Sequence, residues 1–185
     1  MRNHILTWHP NANIRLMFAD EASFGRISEP KACWCPLGIR PVVPSHRVRE
    51  YVYAFGAVDP IEGEKFFIIA PKCNTDWTNE FLRLLSERFP NDYILICWDR
   101  AAWHRSKALK LPDNIYLFEL PAYTPEMNPI EPLWKEVRKD GFKNTSFNSL
   151  DNVVDKLANS LMSLTEKIIQ SVCGWNWIRS MFKWN

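Results

Sequence analysis

Two short apolar runs, Ile14-Arg15-Leu16-Met17-Phe18-Ala19 and Tyr93-Ile94-Leu95-Ile96-Cys97-Trp98, each stop at a carboxylate, Asp20 and Asp99. Runs of this length with almost no polar interruption predict strands buried on both faces. Between them lies a segment with helical spacing, Trp77, Phe81, Leu84 and Leu85, opened by Asn74 or Thr75 as a cap and closed by Pro90-Asn91-Asp92. A crossover helix can set the two strands parallel and side by side. Both acids then sit at the carboxyl ends of neighbouring strands, where open α/β sheets keep their sites. Taken singly, each acid has a plainer reading, since strands commonly end in acids where backbone meets water.

Tyr51 to Val58 and Phe66 to Ala70 are β-rich runs joined by a Pro- and Gly-containing turn, so with the first strand they predict a meander. Ile115 to Leu120 is a further strand. Gly25 to Glu50 is irregular, with four prolines, and carries Arg26, Lys31, Arg40, His46, Arg47 and Arg49, which predicts an extended arm or hairpin. From Ser149 the positions Leu150, Val153, Val154, Leu157, Leu161, Leu164, Ile168 and Ile169 predict one long amphipathic helix with Gly174 as its stop. The order of elements gives an α/β fold, a mixed sheet with helices packed on it, and residues 1–185 read as a single catalytic-type domain without internal repeats. A chain of 185 residues can bury roughly 70% of its unfolded surface, so it needs no staples.

The formal charge of +2 does not announce a nucleic-acid binder, so that reading has to rest on where the cations fall. Cys33, Cys35, Cys73, Cys97 and Cys173 are odd in number and read as reduced, mostly buried thiols of a cytosolic protein. Cys33-Trp34-Cys35 has the pattern of half a metal site, but no second ligand pair at zinc-like spacing accompanies it. No apolar stretch reaches about 18 residues, so the expectation is a soluble protein inside the cell.

A third acid is held differently. In Leu120-Pro121-Ala122-Tyr123-Thr124-Pro125-Glu126-Met127-Asn128-Pro129-Ile130-Glu131, Asn128 suits a helix N-cap, Pro129 the first helical position and Glu131 the third. A capping carboxylate explains Glu131 without any chemistry, at about 0.5–2 kcal/mol. On the helical wheel, however, Ile130, Leu133, Trp134 and Val137 form the apolar face, and Glu131, Lys135 and Arg138 an adjoining polar stripe. Asp20, Asp99 and Glu131 on rigid elements would be a hard-oxygen set suited to divalent magnesium or manganese. Two such ions about 3.5–4 Å apart serve in-line displacement at phosphorus. The chain has neither a Gly-rich phosphate loop nor an H-E-x-x-H pair, so nucleotide hydrolysis and zinc proteolysis are not indicated.

The chain resembles the catalytic domain of a DDE transposase of the mariner-like superfamily, in its bacterial insertion-sequence branch. The resemblance rests on Phe18-Ala19-Asp20-Glu21, on Trp34 with Pro36, Gly38 and Pro41, on Trp98-Asp99-Arg100-Ala101-Ala102-Trp103-His104, and on Leu120 to Glu131 with Trp134. It implies a ribonuclease-H-like fold, with Asp20, Asp99 and Glu131 as the three metal-binding catalytic acids and two Mg2+ or Mn2+ ions when DNA is bound. It further implies cleavage at the inverted repeats of an insertion sequence, strand transfer into a TA target, and a homodimer as the active form. The protein would then be cytoplasmic, and nucleoid-associated when on double-stranded DNA. Family members carry an N-terminal helix-turn-helix domain, which is expected to be absent before Ile14: the chain is then the downstream half of a split or frameshifted gene, whose upstream frame would supply that domain, or a truncated copy, or an excised piece. The arm after Asp20 corresponds to a loop that in relatives reaches the partner subunit and DNA.

The cations that would face DNA are Arg40, Arg47 and Arg49 on the arm, Arg100, His104, Arg105 and Lys107 after the second acid, and Lys135 and Arg138 on the Glu131 helix. His104 matches a family histidine. Arg100 stands where the family usually has Asn; its guanidinium can pair with Asp99 and oppose metal binding, or contact substrate phosphate. Two other readings therefore stay open: a degenerate DNA-binding or dimerising remnant, and a ribonuclease-H-like nuclease acting on another nucleic acid.

Overall fold

The computed structural model describes residues 13–27, 30–121 and 124–181. The stretch before Asn13, Ala122-Tyr123 of the third motif and Trp184 lie outside the described residues. Five strands, β1 (Asn13–Gly25), β2 (Tyr51–Val58), β3 (Lys65–Ala70), β4 (Asp92–Trp98) and β5 (Ile115–Glu119), form one mixed sheet in the order β3-β2-β1-β4-β5. β1, β2 and β3 make the expected antiparallel meander, and β4 and β5 add in parallel on the other side of β1. The crossover from β3 to β4 is α1 (Thr75–Arg88), whose N-cap Asn74 accepts from the amide of Trp77 at 3.1 Å. Phe81, Leu82 and Leu85 of α1 are buried on the sheet with Met17, Ala19, Ile94, Ile96 and Trp98.

The opposite face carries α2 (Ile130–Lys139), α3 (Leu150–Ser163) and α4 (Glu166–Cys173) over Ala22, Phe24, Val52 and Ala54. α5 (Asn176–Met181) lies on the same face, with Ile178 buried against Leu16, Phe18 and Cys97. The apolar positions of β1 thus alternate: Met17 and Ala19 meet α1, and Leu16, Phe18, Ala22 and Phe24 meet the other helices. Burying each large apolar side chain of this kind contributes about 1.5–3 kcal/mol. At Gly56 a Cβ would come within 2.5 Å of the Phe67 ring and 2.8 Å of Trp134, so the missing side chain lets α2 settle on β2.

Three expectations change. β1 does not stop at Asp20 but continues to Gly25, because β2 keeps pairing with it after β4 has ended. The predicted long helix from Ser149 is two helices: Leu164 is extended and Thr165 opens α4 by accepting from the amide of Ile168 at 3.3 Å. Of the five thiols, Cys33 and Cys35 are exposed, while Cys97 and Cys173 are buried. The segment after β1 is an extended arm without strands among its described residues, anchored where Arg26 pairs with Glu50 at 2.8 Å and donates to the carbonyl of Phe147 at 3.0 Å. Trp177 meets the Phe18 ring edge-on at 6.2 Å, on the sheet face that α5 covers. No helix among the described residues is long and apolar enough to cross a membrane.

Candidate active site

The last parallel pair between β1 and β4 is Phe18 opposite Cys97. Asp20 and Asp99 each follow two residues later, so both emerge from the same face at the same height. α2 approaches from that face and brings Glu131 with it. Asp20, Asp99 and Glu131 line one cleft of about 470 Å³, together with Asn128, Thr124, Arg100 and Arg105.

The helix start differs from the sequence reading. Pro129 is already helical and takes the cap position, with no side-chain bond. Asn128 is buried; its Oδ1 accepts weakly from the amide of Ile130 at 3.4 Å, and its Nδ2 donates to the carbonyl of Ala19 at 3.1 Å. The residue read as a cap therefore also ties the Glu131 helix to the strand of Asp20. A second tie lies one turn along α2, where the indole Nε1 of buried Trp134 donates to Asp20 Oδ2 at 3.0 Å. Trp134 is itself fixed edge-on between Phe24 and Phe67, at 6.3 and 5.7 Å.

Burial pushes the carboxyl of Asp20 up to about 7, helped by the charges of Glu131 and Glu21 and only partly offset by its hydrogen bonds. Asp99 behaves oppositely: the imidazole of His104 holds it below the usual carboxylate range, aided by the Ala101 amide at 2.9 Å. The expectation that His104 faces DNA is overturned. Its ring is buried, stacked on Trp98 at 4.0 Å and 4°, with Nε2 at 2.9 Å from Glu21 Oε1 and Nδ1 at 3.0 Å from Asp99 Oδ1. Burial opposes a charge on this ring, but the bonds to Asp99 and Glu21 outweigh it and keep it protonated up to about 9.

Glu21 is the residue that the sequence reading quoted without giving it a role. It alternates with Asp20 to the other face of β1, and its Oε2 accepts from Trp103 Nε1 at 3.3 Å. Arg100 does not pair with Asp99; its Nε lies 3.2 Å from Glu119 at the end of β5, and Arg105 lies 3.7 Å from the same carboxylate. Arg40, Arg47 and Arg49 are exposed on the arm, and Lys107 and Lys135 are exposed near the cleft elements. Arg138 is drawn back onto β1, donating to the carbonyl of Ser23 at 3.3 Å with its guanidinium 4.9 Å from the Phe24 ring centre.

Among the described residues, no three His, Cys, Asp or Glu side chains are gathered closely enough to hold an ion between them. The three acids share a cleft without closing on one point. The donor set nonetheless fits a hard divalent cation: all carboxylate oxygens, with Asp20 raised first by burial and then by the charges of Glu131 and Glu21.

The family model described as "DDE superfamily endonuclease" matches residues 15–154. An uncharacterized protein of Sinorhizobium fredii, y4pE/y4sA, is 34% identical over 105 residues, which is 56% of this chain and 78% of that protein. The Mos1 strand transfer complex shares the fold at a TM-score of 0.67 and 14% identity over 93% of this chain. The Mos1 mariner paired end complex with Mn does so at 0.66 and 13%, again over 93%. The chain spans only 55% and 56% of those two Mos1 chains.

Proposed function

Because the chain belongs to the DDE superfamily endonuclease family and has its ribonuclease-H-like fold, we propose that it is the catalytic domain of an insertion-sequence transposase, cutting DNA strands and transferring them. The observation that carries this reading is the meeting of Asp20, Asp99 and Glu131, from two strands and a helix, in one cleft.

Asp20, Asp99 and Glu131 are assigned as the ligands of Mg2+ or Mn2+, two ions when DNA is bound. Such ions would supply Lewis-acid stabilisation of the attacking and leaving oxygens at phosphorus. The protein's part is positioning. Trp134 and Asn128 fix Asp20 and Glu131 relative to each other, and His104 and the Ala101 amide hold Asp99 Oδ1, leaving Oδ2 for the cleft. Arg100 and Arg105, anchored on Glu119 at the rim, are assigned to substrate phosphate. Paired with Glu119 and away from Asp99, Arg100 gives no support to the reading as a degenerate remnant.

The substrate is double-stranded DNA carrying the element's inverted repeats, with a TA target. The active form is a homodimer in which the arm bearing Arg40, Arg47 and Arg49 reaches DNA and the second subunit. Residues 13–181 act as one catalytic unit in the compartment that holds the DNA.

The test is nicking of a supercoiled plasmid bearing the DNA that flanks the gene, searched for inverted repeats, with and without Mn2+ or Mg2+. Nicking at the repeat ends is expected with metal only, and is lost in Asp20→Asn, Asp99→Asn and Glu131→Gln while circular dichroism stays native. Cleavage persisting in all three variants removes the assignment.

A further inference from the structure

The chain's adjacent acids, Asp20 and Glu21, face opposite sides of β1, and only the first reaches the cleft. We propose that Glu21 is a positioning residue: it clamps His104 so that the imidazole fixes Asp99 Oδ1 and presents Oδ2 alone to the cation. This rests on the metal-dependent reading given above and adds a fourth carboxylate to the site without making it a ligand.

The donor count carries the argument. Nδ1 of His104 lies 3.0 Å from Asp99 Oδ1 and 3.2 Å from the Asp99 carbonyl, both acceptors. Nε2 lies 2.9 Å from Glu21 Oε1, again an acceptor. Each ring nitrogen therefore has to donate, and the ring has no freedom to offer a lone pair to a metal. Glu21 is equally committed, with Oε1 on His104 and Oε2 on the Trp103 indole at 3.3 Å. His104 cannot swing away, because its ring is stacked on Trp98, whose own side chain is buried in the core beneath α1. By contrast the Asp99 side chain is 58% exposed and follows the end of β4, so its direction depends on the groups that hold it. The relay from Trp103 through Glu21 and His104 thus transmits the rigidity of the core to the one acid of the three that stands on neither a helix nor a strand.

Hydrogen-bonded partners of ligating groups typically change metal affinity or activity 10–100-fold when removed. The experiment measures Mn2+ binding to the full chain by electron paramagnetic resonance, with no DNA present. Glu21→Ala is expected to weaken binding roughly 10–100-fold, and Glu21→Gln, which keeps an oxygen for His104 Nε2, by no more than about 3-fold. In an Asp99→Asn background Glu21→Ala is expected to have no further effect, which a merely structural role would not produce. If Glu21→Ala does not fold, Trp103→Phe carries the test, since it releases only Oε2; a loss of roughly 3-fold that vanishes with Asp99→Asn is expected. Wild-type protein that binds no Mn2+ overturns the metal reading and the positioning role together. Wild-type protein that binds while Glu21→Ala binds equally well, or an undiminished loss in the Asp99→Asn background, overturns the positioning role alone.

Discussion

Asn128 Nδ2 donates to the carbonyl oxygen of Ala19 at 3.1 Å, in the buried seam between α2 and β1. That carbonyl is the first on β1 beyond the last residue paired to β4. A side-chain amide has taken over where the strand ladder stops. Asn128→Ala leaves a buried acceptor without its donor and is expected to cost about 1–3 kcal/mol in urea unfolding. The rate of nicking should fall by more than stability explains, because Asp20 and Glu131 lose their common anchor. An unchanged rate in folded Asn128→Ala would refute the second part.

Asp20 sets a conflict between stability and activity. Its carboxyl is raised to about 7 by burial first, then by Glu131 and Glu21. A group raised above its unfolded value stabilises the fold fully below about 4, and that contribution is lost as pH climbs through 7. Metal-free Asp20→Asn should therefore be more stable than wild type at pH 8, by roughly 1–3 kcal/mol, with the gap closing towards pH 4.5. Saturating Mn2+ should narrow the gap at pH 8 by stabilising only the wild type. Urea titrations at the two pH values, with chelator and then with Mn2+, read all three outcomes.

His104 gives the alkaline limb. Burial disfavours its charge, but the bonds to Asp99 and Glu21 raise it to about 9. Its contribution is complete below about 6.5 and disappears as pH rises through 9. Wild-type protein is expected to lose roughly 1–3 kcal/mol more than His104→Asn between pH 6.5 and 10. Parallel pH profiles for the two proteins would show that the imidazole is neutral in the fold.

Arg100→Asn tests the rim. The Arg100–Glu119 pair is exposed at both ends, so stability should shift by no more than about 0.5 kcal/mol. Mn2+ affinity should stay within about 3-fold, because Asp99 is held by His104 and not by Arg100. DNA binding, followed by fluorescence anisotropy across a salt series, should lose about one from the slope of log affinity against log salt. A large gain in metal affinity would instead mean that Arg100 opposes the cation.

The sheet and the three acids were legible because they rest on short-range signals: apolar runs that end in carboxylates, a capped crossover helix, and a proline-started helix delivering Glu131. What the sequence hid was decided across the chain. Asn128 has a sufficient local role as a cap, which masks its bond to Ala19. His104 sits among Arg105, Lys107 and Lys110, so its neighbours suggest surface, yet stacking on Trp98 puts it inside. Glu21 reads as a companion of Asp20, and only strand alternation sends it to the other face. The apolar period from Leu150 to Ile169 runs on through Leu164, and the break is announced only by Thr165, a capping residue in mid-pattern.

β1 outruns β4. Past Phe18 it stays paired to β2 as far as Gly25, while no strand among the described residues lies along its other edge. The strand end that carries Asp20 is therefore held by β2 on one side and, where β4 has stopped, by the Asn128 amide on the Ala19 carbonyl and the Trp134 indole on Asp20, so α2 takes over from β4 as the neighbour of the strand at the first acid.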